Sequence, residues 1–219
     1  MLVHEALAER HSVRGFSREP VPRDVLQQLL ARAQQAPSWC NIQPWRVWLT
    51  SGDVTSRLVA ALVAASKSGA PSPDLAFPGV YPEPYDRHRK ECGKALYEAM
   101  GIARGDTQGR YDAWMRNLQA FGAPHVMIVA MDRRFATYAA LDIGCWLQSL
   151  WLAATEMGLG MCAQASLGAF PAAVRAVLPV PNELAILFGV SLGYEDASVA
   201  ANRCRTTRAP VEDNVTFVG

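Results

Sequence analysis

Hydrophobic spacing divides the chain into several helices with a few strands between them. Apolar residues recur at helical intervals in "VPRDVLQQLLARAQQAP" and "DVTSRLVAALVAASKSG". In contrast, "WRVWLTS", "APHVMIVAMD", "GMCAQ" and "LAILFGVSLGY" have the composition of strands. The second of these is almost continuously apolar, which predicts a strand buried on both faces. Helices outnumber strands, so the pattern indicates a layered α+β or α/β domain.

The longest helical pattern is "TYAALDIGCWLQSLWLAATEMG", residues 137–158. It is apolar on most of its circumference, which predicts a central, buried helix. Its most apolar stretch, residues 139–154, contains Asp142 and Gln148 and is too short to cross a bilayer comfortably, so no membrane span is expected.

The six residues "GLGMCA" (158–163) match a G-x-G-x-x-A pattern. A dinucleotide-binding site of the Rossmann type needs a strand before these glycines and a helix after them. Here a helix precedes and a strand follows. We therefore expect Gly158 or Gly160 to end the helix.

A proline-rich stretch, "GAPSPDLAFPGVYPEPY", begins at residue 69 and excludes a regular helix or a central strand. Long irregular segments are often functional lids, and 69–116 is the candidate lid or insertion. Residues 195–219 have too few apolar side chains for a core of their own. We interpret them as an arm that lies against a partner subunit, and 1–219 as a single domain.

Composition excludes several function classes. Of the 219 residues, 50% are hydrophobic and 19% are charged, and the net charge is +1 without a basic block, so no nucleic-acid partner is expected. Five scattered cysteines without a CxxC pair favour a reducing cytoplasm, and the charged first twenty residues exclude a secretory signal. No two histidines have metal-ligand spacing, so we expect no metal site, and His125, at the start of a strand, is interpreted as structural.

Two separate clusters of donors could bind an anion. In "ERHSVRGF", Arg10, Ser12 and Arg14 occupy alternate positions, and arginine forks with a neighbouring hydroxyl suit phosphate. The alternative is a solvated turn in which Arg10 only complements the end of a helix. The second cluster, "NRCRTTR", contains Arg205 and Arg208. Spacing alone does not show whether the two clusters meet.

The segment "APSWCNIQPWRV" (36–47) interleaves short polar side chains with aromatic ones. This pattern suits a flat heteroaromatic ligand, although a capped turn leading into a core strand would give it too. No nucleophile motif such as G-x-S-x-G occurs in the chain. If the protein is an enzyme, a cofactor must therefore supply the chemistry.

Three elements in the same order resemble the nitroreductase family of FMN flavoproteins. "RHSVRGF" is similar to its R-x-S-x-R-x-F signature, and "APSWCNIQPWRV" resembles its A-P-S-x-x-N-x-Q-P-W motif. "GLGMCAQASL" resembles the third element, and the tail ends in R-x-P. The resemblance spans essentially the whole chain.

This resemblance implies an α+β nitroreductase-like fold, with a central, mostly antiparallel sheet surrounded by helices, in an intertwined homodimer. It further implies a ping-pong oxidoreductase in which NADPH or NADH reduces FMN, and a nitroaromatic or quinone then accepts two electrons. Nitroso or hydroxylamine products would result. Hydride would pass through flavin N5, so the resemblance implies no dedicated catalytic residue.

The resemblance also assigns cofactor-binding residues. Arg10, Ser12 and Arg208 would hold the FMN phosphate, with Arg205 as a further donor and His11 contributing through its backbone. Arg14 would lie at the pyrimidine edge of the ring and stabilise the anionic reduced flavin. The remaining contacts would come from Pro37, Ser38, Trp39 and Asn41, along the ring and ribityl chain, and from Gln164, Ala165 and Ser166, in the turn near N5.

Substrate choice is assigned to the candidate lid. Aromatic stacking and a cation for an acidic or nitro-bearing ring would come from Phe77, Tyr81, Tyr85, Arg87 and Arg89. The alternative is a solvated loop that only packs on the partner subunit. Other branches of the family, such as enone reductases and flavin destructases, stay open. The deiodinase branch does not, because its E-x-x-x-Y pair is absent from the sequence. A non-enzymatic FMN-binding or storage protein is the alternative of a different class.

Overall fold

The four strands form one open, antiparallel sheet. The structure is a computed structural model that describes residues 1–219. Its strands are β1 (Arg46–Ser51), β2 (His125–Asp132), β3 (Gly160–Gln164) and β4 (Leu184–Gly193). Their order in the sheet is β1-β2-β4-β3, and each neighbouring pair is antiparallel. The prediction of an α+β fold with a mostly antiparallel sheet is confirmed.

Eight helices surround this sheet. They are α1 (Val3–Glu9), α2 (Arg23–Ala33), α3 (Asp53–Ser68), α4 (Tyr85–Ala99), α5 (Thr107–Leu118), α6 (Thr137–Glu156), α7 (Pro171–Val177) and α8 (Val211–Asn214). None of them combines the length and the apolar character needed to cross a membrane.

Strand β2 explains why the fold has helices on both faces of the sheet. Met127, Val129 and Met131 pack on one side with α2 and α6, while Val126, Ile128 and Ala130 pack on the other with α3, α5 and α7. Successive side chains of a strand point to opposite faces, so an apolar strand needs a cover on both. The predicted burial of this strand is confirmed.

Helix α6 is only half buried within one chain, so the prediction of a helix buried all round is wrong for one of its faces. Ile143, Trp146 and Leu150 are 0–1% exposed in the core. On the opposite face, Tyr138 and Leu141 are 65% and 58% exposed. An apolar helical face that the chain itself does not cover suggests an interaction surface.

The turn after α6 places β3 beside the first arginine motif. Gly158 has φ +71°, a left-handed conformation that ends the helix as predicted. The N–H of Val13 then donates to the carbonyl of Met161 at 2.9 Å, and Ser12 forms a parallel bridge with Met161. The exposed edge of β3 is thereby covered, and the motif is fixed against the sheet.

His125, the first residue of β2, has the structural role that its position predicted. The side chain is buried, Nε2 accepts from the N–H of Val21 at 2.9 Å, and Nδ1 lies 2.7 Å from the hydroxyl of Ser51. Burial lowers the pKa of His125, which favours the neutral ring that these contacts require.

The start of the proline-rich segment is tied to the core by Asp74. Its carboxylate accepts from Arg175 at 2.8 Å, from Arg133 at 2.7 Å and from the N–H of Ile186 at 2.9 Å. Burial alone would raise the pKa of Asp74, but these hydrogen bonds outweigh it, and the pKa is lowered. The segment is therefore anchored before its aromatic part begins.

Replacing Asp74 with Asn should lower the free energy of unfolding by about 2 kcal/mol at pH 7, because Arg175 and the N–H of Ile186 lose a charged acceptor. A carboxylate with a lowered folded-state pKa stabilises the fold above its ordinary pKa of 3.8 and loses that contribution as the pH falls through its folded-state pKa. The difference between the two proteins should therefore narrow below pH 3.8. Urea unfolding at several pH values measures it, with the exposed Asp112→Asn as a control. An equal, pH-independent difference in both variants would contradict this role.

Candidate active site

The two donor clusters that are distant in sequence meet in one cleft. A cavity of about 410 Å³ opens between the end of α1 and the tail. Its walls include six of the predicted cofactor-binding residues, namely Arg10, His11, Ser12, Arg14, Arg205 and Arg208. The fold therefore brings together two arginine clusters whose proximity could not be predicted from their spacing in the sequence.

The electrostatics of this cleft favour an anion. The Arg10 guanidinium lies 4.6 Å from the centre of the Trp151 ring, and burial together with the nearby Arg208 lowers the pKa of Arg10. Arg205 and Arg208 donate to main-chain carbonyls and to the hydroxyl of Thr206. None of the four arginines of the cleft forms a salt bridge with a carboxylate. Their positive charge is thus not neutralised within the chain.

A second cavity of about 490 Å³ adjoins the first and shares Arg10, His11 and Arg205 with it. Glu9 and Glu195 also line this second cavity, so its charge is mixed. The first cleft is therefore the better anion site.

His11 shapes the wall between the two cavities. Its Nδ1 lies 2.9 Å from the carbonyl oxygen of Glu9, and its Nε2 lies 3.1 Å from the carboxylate of Glu195. Both ring nitrogens thus lie near protein oxygens, although Nε2 has no hydrogen-bond partner of good geometry.

The turn after β3 lies next to the first motif. Residues 12–14 run parallel to β3, so Arg14 lies toward the Gln164 end of the strand. Between them lies the Cys162 thiol, whose pKa burial raises to about 11, so that it stays neutral near pH 7. In the turn itself, the hydroxyl of Ser166 is buried without a hydrogen-bond partner. Such an orphaned polar atom suggests that a ligand completes it.

Gln164 does not offer its side chain to this cleft. Its Nε2 donates to the carbonyl of Asn117 at 2.8 Å, and its Oε1 accepts from the hydroxyl of Ser191. The side chain is 4% exposed and joins β3 to β4 and to the end of α5. It therefore holds the turn in place, and Ala165 and Ser166 are the members of the predicted trio that can face a ligand.

The second motif lies away from the basic cleft in the same chain. Pro37, Trp39 and Asn41 are exposed, and with Ser38 they form a turn after α2 that does not line the cavity. The N–H of Trp39 donates to Oδ1 of Asp142 at 3.1 Å, and the Trp39 ring lies 5.1 Å from that of Tyr138. The turn thus lies against the exposed face of α6.

This turn is also conformationally strained. Cys40, Asn41 and Gln43 have φ values of 46°, 57° and 46°, and none of them is glycine. Residues in the left-handed region persist only where their surroundings hold them, and they are common at ligand-binding sites. Here Asp142 and Ser38, whose hydroxyl accepts from the N–H of Gln43 at 3.0 Å, hold the turn.

The candidate substrate residues lie on the surface of the proline-rich segment and α4, outside the basic cleft. Phe77, Tyr81 and Tyr85 are all exposed. Arg89 bonds to Asp86 at 2.6 Å and lies 5.2 Å from the centre of the Tyr81 ring, whereas Arg87 forms no ion pair. Of the two arginines predicted to bind substrate, Arg87 is therefore the one without an ion pair.

Two residues of the site escaped the sequence interpretation. Asn202 bonds to the backbone at Arg14, and Asp142 holds the second motif. Asp142 left a signal, since it is a lone carboxylate within an apolar helix. Asn202 left none, because nothing in "NRCRTTR" distinguishes it from a solvated asparagine.

The arginine-lined cleft at the edge of the sheet is suited in charge and donor geometry to a phosphorylated ligand. The chain belongs to the nitroreductase family, whose profile matches residues 7–194.

Similar proteins span nearly the whole chain. The chloronitrobenzene nitroreductase of Comamonas testosteroni is 33% identical over 99% of this chain and 96% of its own. The 4-nitrobenzoate reductase of Nocardioides sp. (strain LMS-CY) is 35% identical over 95% and 87%. The crystal structure of the FMN and NADPH-dependent nitroreductase NfnB from sphigopyxis sp. strain HMH superposes with a TM-score of 0.97, at 32% identity and with both chains fully covered.

Proposed function

We propose that this protein is an FMN-dependent oxidoreductase that transfers two electrons from NADPH or NADH to a nitroaromatic acceptor. The observation that carries the proposal is the meeting of Arg10, Ser12, Arg14, Arg205 and Arg208 in one cleft of a nitroreductase-family fold. The relatives named above act on chloronitrobenzene and 4-nitrobenzoate, and this supports a nitroaromatic acceptor.

The residues present fit FMN. Arg10, Arg205 and Arg208, with the hydroxyl of Ser12, form the donor set that a phosphate needs, and no carboxylate competes for them. The hydroxyl of Ser166, in the turn that follows β3, has no partner within the chain and would be available to the ring. We assign Arg10, Ser12, Arg205 and Arg208 to the phosphate, and Arg14 and Ser166 to the ring.

FMN, when bound, supplies the two-electron redox chemistry. The chain contributes position and charge. Arg14 would place a cation near the ring, where negative charge develops on reduction, and would thereby favour the reduced state. The buried Cys162 thiol, whose pKa is raised to about 11, is poorly suited to act as an acid or base near pH 7. We therefore assign no catalytic side chain and expect ping-pong kinetics, since donor and acceptor must reach the same ring.

We further propose that the site is completed in a homodimer. The second motif, with Pro37, Ser38, Trp39 and Asn41, lies on an exposed face together with Tyr138 and Leu141 of α6. Residues 205–219 are exposed throughout. An arm without a core of its own and an uncovered apolar face are both explained by a second copy that brings its motif to this cleft.

Location in the cytoplasm stays a prediction. It fits a protein that uses NADPH or NADH as electron donor, and fractionation of cells followed by immunoblotting checks it.

The purified protein should carry FMN and show its visible spectrum. NADPH or NADH should bleach it under anaerobic conditions, and a nitroarene should restore it. Arg10→Ala should raise the FMN dissociation constant at least about tenfold, since it removes a charge-assisted phosphate contact. Arg14→Ala should also shift the flavin reduction potential to a more negative value.

The control for both variants is Arg57→Ala, an exposed arginine of α3 outside the cleft. A colourless protein that does not bind added FMN would overturn the proposal. Bleaching without reoxidation by any nitroarene, quinone or enone would instead favour a flavin-storage role.

The lid assignment predicts that Arg87 contributes to the choice of acceptor. Arg87→Ala should lower kcat/KM for a carboxylated nitroarene by up to about fivefold relative to a neutral one, the effect expected of an exposed charge. Arg89→Ala is the matched control, because Arg89 already pairs with Asp86. Steady-state rates with 4-nitrobenzoate and nitrobenzene measure the ratio, and equal ratios in all three proteins would contradict a role for this cation.

The dimer proposal predicts a mass of twice the 23.9 kDa of the chain in sedimentation velocity experiments. Leu141→Glu places a charge on the exposed face of α6, so it should yield a folded monomer. Val80→Glu, an equally drastic change at an exposed position of the lid, should leave the dimer intact. A monomeric wild-type protein would rule the arrangement out.

A further inference from the structure

Asn202 is buried at the point where the tail crosses the first arginine motif. Its side chain is 3% exposed. Its Oδ1 accepts from the N–H of Arg14 at 2.6 Å, and its Nδ2 donates to the carbonyls of Gly15 at 2.8 Å and Asp196 at 2.9 Å. A peptide N–H only donates and a carbonyl only accepts, so these partners fix the orientation of the amide.

Asn202 is the only partner that the N–H of Arg14 has. The neighbouring groups have second contacts, because the Gly15 carbonyl also accepts from the N–H of Asp196 at 3.1 Å, and the Arg14 carbonyl accepts from Arg116 at 3.2 Å. Loss of the Asn202 side-chain amide would therefore leave the N–H of Arg14 without an acceptor, while the Arg14 carbonyl keeps its bond from Arg116. A buried donor without a partner shifts its backbone or admits water.

The same residue also contacts the second cluster. Its main-chain carbonyl accepts from Arg205 at 2.6 Å. The two backbones approach so closely that a Cβ on Gly15 would lie 2.5 Å from the side chain of Val199. One residue thus joins the extended segment that carries Arg14 to the tail segment that carries Arg205.

We propose that Asn202 is a positioning residue that holds the Arg14 cation at the flavin ring and so raises the reduction potential of the bound flavin. The inference rests on the proposed binding of FMN. Asn202 does not line the cleft, and it acts through the backbone of Arg14. The Arg205 contact uses the carbonyl of Asn202, which every substitution retains, so phosphate binding should depend much less on this side chain.

The test compares the FMN-loaded Asn202→Ala, Arg14→Ala and double variants with wild type. Thr55→Val is the matched control, because Thr55 is a buried, hydrogen-bonded residue outside the cleft. Titration against reference dyes gives the flavin reduction potential, fluorescence quenching gives the FMN dissociation constant, and thermal unfolding reports general damage. If Asn202→Ala does not fold, Asn202→Ser, which keeps a small polar group, takes its place.

Asn202→Ala should shift the potential to a more negative value, in the direction of Arg14→Ala, and should raise the FMN dissociation constant less than Arg10→Ala does. In the Arg14→Ala background it should cause no further shift, because the residue through which it acts is gone. Thr55→Val should lower only the unfolding temperature.

Two outcomes would overturn the inference. One is an Asn202 variant with the potential of wild type. The other is a shift that adds fully to that of Arg14→Ala. Wild-type protein that binds no FMN would instead contradict the proposed function, so the two failures can be told apart.

Discussion

Residues 12–17 are held on two sides, and the cleft exists because of this double attachment. On one side, Ser12 and Val13 pair with Met161 of β3. On the other, Phe16 bridges to Glu195, and the N–H of Ser17 donates to the carbonyl of Tyr194 at 2.9 Å. The motif thus lies between the edge strand β3 and the start of the tail, and its residues Ser12 and Arg14 line the cleft.

This arrangement concentrates like charges. Four arginines converge without a carboxylate partner, and the lowered pKa of Arg10 reflects both burial and the proximity of Arg208. Repulsion among them destabilises the empty cleft, so a phosphate group bound there, as proposed above, would also stabilise the fold. The cation–π contact with Trp151 holds the Arg10 guanidinium in position while no anion is bound.

The local hydrophobic pattern predicted the helices and strands well. It failed where the surroundings of a side chain depend on residues that are distant in the sequence. The four strands follow from composition, and the double-sided burial of β2 follows from its unbroken apolar run. Helix α6 shows the limit, since an apolar circumference does not say whether the chain or a second copy covers each face. Gln164 shows another, because Ala165 and Ser166 lie in the predicted turn while Gln164 is the last residue of β3 and its side chain bonds to Asn117 and Ser191.

Family motifs indicated which residues belong to the site but not how they are supported. Three of the hydrogen bonds that fix Asn202 go to backbone atoms, and any residue type could supply those atoms. No spacing rule identifies such a contact. The left-handed backbone conformation of Cys40, Asn41 and Gln43 was not predicted from the sequence either, since none of these residues is glycine.

The bond between Asn202 and Arg14 joins residues 188 positions apart. Contacts of such long sequence separation form late, because most of the chain must be ordered before they repay the entropy of closing the loop. The first motif therefore leaves the ribosome long before the segment that completes its cleft. Under the proposed function, cofactor uptake would then report that residues 10–14 and residues 202–208 have come together.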